Sequence, residues 1–325
     1  MTLPAIGISL GDPGGIGPEV VLKALAAPSL LPEARFIVFG DRRVWEAERE
    51  ATGIRLEAPI HKGEAVPLAP GLHFKDTGAV PGAVLRGRAT PENGKSSFRA
   101  FEKAVEWAGR GILDAVVTAP VSKTSWRLAG LSWRGHTEYL DSLYPGAIMT
   151  FWSDRLKVAL LSHHIPLAEA LCRVRTGALL EFFRALHRSL ARVRSEVGEL
   201  LVAGLNPHAG EDGLLGPEES AEIAPAIAAA QMEGIPVRGP FPPDTVFLKA
   251  LDHPERMVVA LFHDQGLIGF KAVAFSAGVN TTLGMPFVRT SPDHGTAFDI
   301  AGKGVADPLS MQEALRLAVR LAASR

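Results

Sequence analysis

Cysteine is almost missing. Cys172 is the only one in 325 residues, so no disulfide can form within the chain and a thiolate zinc site is excluded. Its setting, Leu167-Ala-Glu-Ala-Leu-Cys-Arg173, has a helical apolar pattern and predicts packing in the core rather than a nucleophile. Charge of one sign is missing too. Lys and Arg number 34 against 35 Asp and Glu, leaving no general basic field to draw the chain to nucleic acid or an anionic membrane. A few Arg and Lys side chains could still hold phosphate locally. No apolar run approaches the ~18–20 residues that span a bilayer. The start, Met1-Thr-Leu-Pro-Ala-Ile-Gly7, lacks the basic and apolar regions of a secretory signal, so a cytoplasmic protein is expected.

An intact nucleotide loop is also lacking. Gly11-Asp-Pro-Gly-Gly-Ile-Gly-Pro-Glu19 joins a strand to a helix, but Val20 stands where a Rossmann loop needs its third glycine. The Gly-Lys-Ser/Thr of a P-loop is absent as well. A tight turn needing positive φ accounts for these glycines. Asp12 and Glu19 are acids at a strand end, and the loop is expected near the active cleft.

What is present is an alternation of strand and helix signals, which predicts a largely parallel sheet covered by helices. Residues 5–10, 35–40 and 114–120 read as strands, and 18–26, 44–51 and 95–109 as helices. Residues 57–94 read as loops with short strands. An amphipathic helix is expected over 175–194, with Leu179, Leu180, Phe183, Leu186, Leu190 and Val193 on one stripe and Arg184, Arg188 and Arg192 on a solvated face. A last helix covers 310–323. The length suits two domains.

Three strand-like runs end in histidine: Val158 to His163-His164, Leu200 to Asn206-Pro-His208, and Met257 to His263-Asp264. Ligands bind at the carboxyl ends of strands in open α/β sheets. Three imidazoles at one edge could hold a catalytic metal with a coordination position left open. Hydrogen-bonded or solvated histidines are the alternative, and either His163 or His164 could be the inward one. Residues 263–303 gather further polar groups. Lys271-Ala-Val-Ala-Phe275 and Phe287-Val-Arg289 read as strands, with Lys271 and Arg289 among apolar residues, suited to carboxylate or phosphate. Arg134-Gly-His-Thr-Glu-Tyr-Leu140 reads as a turn entering a helix. There Thr137 could be a cap and His136 a solvated neighbour, or the helix start could hold an anion.

Several segments together resemble the 4-hydroxythreonine-4-phosphate dehydrogenases, the PdxA family of pyridoxal-phosphate (vitamin B6) biosynthesis. They are Gly11 to Glu19, Thr118-Ala-Pro-Val-Ser-Lys123, Gly135-His-Thr-Glu138, His164-Ile-Pro-Leu167, Leu205-Asn-Pro-His-Ala-Gly210, Gly239-Pro-Phe-Pro-Pro-Asp244, His263-Asp-Gln-Gly266, and the block from Val279 to Gly304. They run from end to end of the chain in the family's order. The tail from His294 to Gly304 is also similar to the cofactor loop of isocitrate and isopropylmalate dehydrogenases, which bind NAD or NADP without a Rossmann fingerprint.

The resemblance implies their two-domain α/β/α fold, with the active site in the interdomain cleft. One domain would comprise 1–130 plus 300–325, and 131–299 the second, which carries the metal ligands and dimer interface. It implies a divalent metal (Zn, Co, Mg or Mn) on His164, His208 and His263, and substrate contacts at His136, Thr137, Lys271, Asn280 and Arg289. NAD or NADP is expected at Asp293, His294, Gly295, Thr296 and Asp299. It also implies a homodimer with the active site at the subunit interface.

The implied reaction is NAD(P)-dependent oxidation of a secondary alcohol of a small phosphorylated amino acid, followed by loss of CO₂. Lys123, Asp244 and Asp264 are candidate proton acceptors. Paralogues acting on 4-phospho-D-threonate, D-erythronate 4-phosphate or cis-dihydrodiols are the nearest alternative. A metal-dependent hydrolase and a noncatalytic binding protein are the alternatives of other classes.

Overall fold

The structure, a computed structural model, describes residues 3–322 apart from 65, 67, 68, 81, 83, 84 and 194. In chain order the elements begin β1 (Ala5–Ser9), α1 (Gly17–Leu25), β2 (Arg35–Gly40), α2 (Arg42–Thr52), β3 (Gly71–Asp76), α3 (Pro91–Gly109), β4 (Ala115–Thr118), α4 (Lys123–Leu128) and α5 (His136–Leu143). They continue with β5 (Ile148–Trp152), β6 (Lys157–Leu160), α6 (Leu167–Cys172), α7 (Thr176–Arg192), β7 (Glu199–Ala203), α8 (Ala224–Met232) and β8 (Val237–Phe241). The last are α9 (Val246–Ala250), β9 (Arg256–Ala260), α10 (His263–Ala274), β10 (Val279–Leu283), β11 (Val288–Pro292) and α11 (Leu309–Ala322). This is the mixed α/β fold that the alternating pattern predicts.

The chain divides into two compact units, and the described part of the first is 3–145 with 285–322, while 146–284 forms the second. The sequence expectation put the crossings near 130 and 300. Residues 131–145 and 285–299, assigned there to the second domain, lie with the first unit. The expected ends of the helices at 194 and 323 fall outside the described residues.

In the first unit the strands run β3-β2-β1-β4-β11, all parallel. Because parallel neighbours point their carboxyl ends the same way, three loops leave one edge side by side. They are the glycine loop after β1, the segment 119–123 after β4, and the loop that starts at Asp293 after β11. Strands β1, β4 and β11 are buried along their length, as expected of parallel strands covered on both faces. Trp45, Trp107, Trp126, Phe36, Phe39 and Phe101 fill the space beneath the helices. Each such side chain contributes roughly 1.5–3 kcal/mol by leaving water. Helix α3 starts at Pro91, four residues before the sequence expectation, because Thr90 caps it: its Oγ1 accepts from the Asn93 amide at 3.1 Å.

In the second unit the order is β10-β5-β6-β9-β7-β8. The first two pairings are antiparallel and β6, β9, β7 and β8 are parallel. Its core joins Phe151, Val158, Leu160, Val258, Leu267 and Phe270.

Two readings are corrected. The segment 271–275 is not a strand, since all but Phe275 belong to α10. Gly266, Leu267, Phe270 and Ala274 form that helix's buried stripe at three- and four-residue spacing, which a five-residue window reads as alternation. Cys172 is not in the core; it ends α6 exposed, and Ala170 is the buried residue of that helix. On α7 the predicted stripe is buried at Leu179, Phe183, Leu186 and Leu190, and Leu180 is half-buried.

Candidate functional site

The first unit builds a buried polar cluster on its strand edge. Arg289 lies in β11, opposite Val116 of β4. Thr118 stands two residues along β4 and so on the same face as Val116. Arg289 donates to Thr118 Oγ1 from Nε at 3.0 Å and from Nη2 at 2.7 Å. The same Nη2 lies 3.2 Å from His136 Nδ1. All three residues are buried. His136 is the first residue of α5, packed against Phe101 at 4.4 Å between ring centroids and against Trp126 at 5.6 Å. Burial, and secondarily the Arg289 charge, hold its imidazole well below the usual histidine range. It is therefore not the solvated neighbour that one reading of the sequence allowed. Its Nε2 is buried with no hydrogen-bond partner among the described residues.

Thr137 follows His136, half-buried in the first turn of α5. Lys123, the exposed first residue of α4, brings its Cε within 3.9 Å of where a Cβ on Gly135 would stand. Its side chain therefore runs to the start of α5, beside His136.

The neighbouring loops on this edge are strapped together. The Ile16 amide donates to Thr296 O at 2.9 Å, and Gly15 is so close to Thr296 that a Cβ there would meet its carbonyl oxygen at 2.5 Å. The Asp12 amide donates to Pro120 O, and Asp12 Oδ1 accepts from the Gly14 amide at 2.8 Å. Burial raises the Asp12 carboxyl above its ordinary range. Of this loop's glycines only Gly11 has positive φ, at 73°; Gly14, Gly15 and Gly17 answer to close packing instead, since a Cβ on them would meet neighbouring atoms at 2.3, 2.5 and 2.6 Å, so the tight-turn reading holds for Gly11 alone. Glu19 is structural: its Oε1 accepts from Lys23 Nζ at 2.7 Å and from the Ala306 amide at 2.8 Å, holding the returning chain against α1. In the expected cofactor loop the Asp293 amide donates to Ser310 Oγ at 3.3 Å, and His294 Nε2 is buried without a hydrogen-bond partner among the described residues. Gly295 and Asp299 are exposed, with open space where a Gly295 side chain would be. An orphaned imidazole nitrogen beside an open glycine fits a dinucleotide running along this loop.

The second unit carries the histidines. His164 follows β6, His263 follows β9 and His208 follows β7, three neighbouring parallel strands, as the sequence pattern predicts. His164 is exposed with φ 46°, while His163 is the inward member of its pair. Burial, then the charges of His164 and His263, lower the His163 pKa to about 4. The His164 and His263 rings lie 5.5 Å apart. His208 opens a left-handed turn in which His208, Ala209, Gly210, Glu211 and Asp212 all have positive φ. Each non-glycine residue there costs about 1–2 kcal/mol. Buried Glu219 holds the stretch before that turn, accepting from the Leu205 amide at 2.8 Å and the Asn206 amide at 2.7 Å.

The donor chemistry suits a divalent ion. His208 Nδ1 is bonded to Glu211, and His263 Nδ1 lies 2.7 Å from Asp264 Oδ1, which leaves each Nε2 outward. The Glu211 hydrogen bond raises the His208 pKa. The convergence does not suit one: among the described residues no three His, Cys, Asp or Glu side chains gather to hold a metal. The expected triad of His164, His208 and His263 is thus not assembled among the described residues. Asp264 is engaged with His263, and exposed Asp244 acts on the His208 charge. Lys271 lies half-buried on α10 and Asn280 on β10.

Thr118, Glu211 and Glu219 carry this geometry and were not singled out from the sequence. Thr118 lies 171 positions from Arg289, and no local pattern announces such a pair. Glu211 stands three residues after His208, a signal readable only once the left-handed turn is known.

The candidate site thus stands on a mixed α/β fold, with a buried polar cluster and a strapped loop on one strand edge. A family profile described as "Pyridoxal phosphate biosynthetic protein PdxA" matches residues 32–318. The chain is 42% identical over 326 residues to a 4-hydroxythreonine-4-phosphate dehydrogenase of Desulforapulum autotrophicum, covering 97% of this chain and 94% of that one. It is 41% identical over 329 residues to the D-threonate 4-phosphate dehydrogenase of Salmonella typhimurium, covering 99% and 100%. The crystal structure of a 4-hydroxythreonine-4-phosphate dehydrogenase from Klebsiella pneumoniae superposes with a TM-score of 0.87 at 37% identity, covering 98% and 99%. The chain belongs to the PdxA family. It is a dehydrogenase that uses a nicotinamide cofactor, and the hydrolase and binding-protein alternatives fall with that assignment. No helix among the described residues is long and apolar enough to cross a membrane.

Proposed function

We propose that the chain oxidises 4-phosphohydroxy-L-threonine, with NAD or NADP, to 2-amino-3-oxo-4-(phosphooxy)butanoate, which then loses CO₂ to give 3-amino-2-oxopropyl phosphate. The observation that carries this reading is the buried Thr118–Arg289–His136 cluster on the same strand edge as the 293–299 loop. A guanidinium fork suits phosphate or carboxylate, and burial strengthens its hold by excluding water. Arg289, His136 and Thr137 bind the substrate's oxyanion, and Lys271 and Asn280 are further candidate substrate contacts. Asp293, His294, Gly295, Thr296 and Asp299 hold the dinucleotide. Anchoring the substrate aims its carbinol hydrogen at the nicotinamide, which receives the hydride. The hydroxyl proton passes to a side chain. Lys123 is the best situated of the three candidates, since Asp264 is engaged with His263 and Asp244 faces His208.

His164, His208 and His263 are the ligands of a divalent ion (Zn, Co, Mg or Mn), which when bound would acidify the substrate hydroxyl and polarise the ketone. A second copy of the chain completes this set. Exposed apolar side chains follow each histidine: Leu167 and Leu171 after His164, Leu214 and Leu215 after His208, and Ile268 after His263. An apolar rim around an incomplete ligand set is what a homodimer interface would cover.

The named relatives leave a runner-up, since those acting on 4-phospho-D-threonate are as similar as those acting on phosphohydroxythreonine. Initial rates of NADH or NADPH formation on both substrates, with and without EDTA, decide between them. Turnover of phosphohydroxythreonine that EDTA abolishes is expected. Turnover of phosphothreonate alone overturns the first choice, and undiminished rates in metal-free buffer overturn the metal.

A further inference from the structure

Arginine has only donors, five N–H groups and no lone pair. Its 3.2 Å contact with His136 Nδ1 therefore assigns that nitrogen as the acceptor. A neutral imidazole accepting at Nδ1 carries its hydrogen on Nε2. The partnerless buried atom of His136 is then a donor, an N–H with no acceptor among the described residues.

Thr118 holds the guanidinium at two of its nitrogens. Its hydroxyl oxygen has two lone pairs, and Arg289 Nε and Nη2 supply two donors to it. A fork held at two nitrogens cannot swivel about its long stem. With Nη2 pinned, its hydrogen bond to His136 is pinned as well. The strand pairing delivers this arrangement, because the hydroxyl and the guanidinium arise from adjacent buried strands.

We propose that Thr118 is a positioning residue of the oxyanion site: its hydroxyl sets the Arg289 fork and, through it, holds His136 as the Nε2–H tautomer. The role extends the reading of Arg289 and His136 as substrate contacts and rests on it. Serine keeps the hydroxyl, whereas valine keeps the shape and removes the acceptor that holds Nε and Nη2.

The test titrates the full-length protein with inorganic phosphate by calorimetry and reads the His136 tautomer from its imidazole ¹⁵N shifts. Thr118→Val is expected to weaken phosphate binding about tenfold, about the worth of one hydrogen bond to a charged group. It should also mix the His136 tautomers while leaving NAD affinity unchanged. Thr118→Ser is expected to restore both. Phosphate affinity and tautomer both unchanged in Thr118→Val overturn the positioning role. If Arg289→Lys also leaves phosphate binding unchanged, the oxyanion reading itself fails. Should the valine variant not fold, the wild-type spectrum still decides, because a hydrogen on Nδ1 of His136 overturns the proposal directly.

Discussion

The two units carry their polar chemistry in opposite ways. In the first, Arg289, Thr118 and His136 are buried and bonded to one another before any ligand arrives. In the second, His164 and His208 are exposed, and the His164 ring lies near those of His163 and His263. Buried donors in a fixed array lose little on binding, because their ordering was completed during folding. Imidazoles left near water keep their hydration, and here two are steadied by a neighbouring carboxylate, His208 by Glu211 and His263 by Asp264. The contrast separates a polar cluster that the fold itself completes from histidines that do not converge among the described residues.

The largest test of that contrast is His208→Ala. It should abolish turnover while shifting the melting temperature by no more than about 2–4 °C, since the residue is exposed on a turn. Near-normal rates in this variant would remove His208 from the site. Next, Arg289→Lys should lower kcat/KM by roughly 10²-fold, because an ammonium cannot reproduce the fork on Thr118 and His136. It should also destabilise the fold, as a buried hydroxyl and an imidazole lose their partner. Equal melting temperatures with equal kinetics would mean that the cluster is not preorganised.

A pH dependence sharpens the buried side. The His136 pKa is depressed in the folded state below its unfolded value near 6.5. The unfolded chain therefore binds the extra proton first. This contribution to stability is full above pH ~6.5 and is lost as pH falls toward the folded value, by up to about 1.4 kcal/mol per pH unit. His136→Gln should flatten melting temperature against pH over that window, and an unchanged slope would exclude burial of a neutral imidazole. The smallest effect concerns the exposed side. Asp212→Gly should raise stability by about 1 kcal/mol or less, because glycine relieves one left-handed residue at some cost in unfolded-chain entropy. Chemical denaturation would read it, and a loss of stability would show that the Asp212 side chain holds the turn.

Much of this was legible in the chain. Strands such as Arg35–Gly40 and Arg256–Ala260 announce themselves by short apolar runs, and the three histidines do arrive on neighbouring strand ends. The misreadings share a cause. Residues 271–275 and Cys172 were judged over windows too short to reveal which face of a helix is covered. Burial of a face depends on what packs against it, and that is not a local property. The start of α3 was missed because the capping threonine lay in a stretch dominated by glycine and proline.

The sequence by itself determined the alternation of strands and helices, their largely parallel pairing, the arrival of three histidines at neighbouring strand ends and the family. These follow from periodicity, turn chemistry and motif order, all of which act over a few neighbouring residues or along the whole chain in register. Only the tertiary structure decided that Thr118 holds Arg289, that His136 is buried and neutral, that His163 faces inward rather than His164, and that His208 turns toward Glu211. Those outcomes depend on strand neighbours far apart in sequence and on backbone dihedrals of either sign, which no spacing of residue types records.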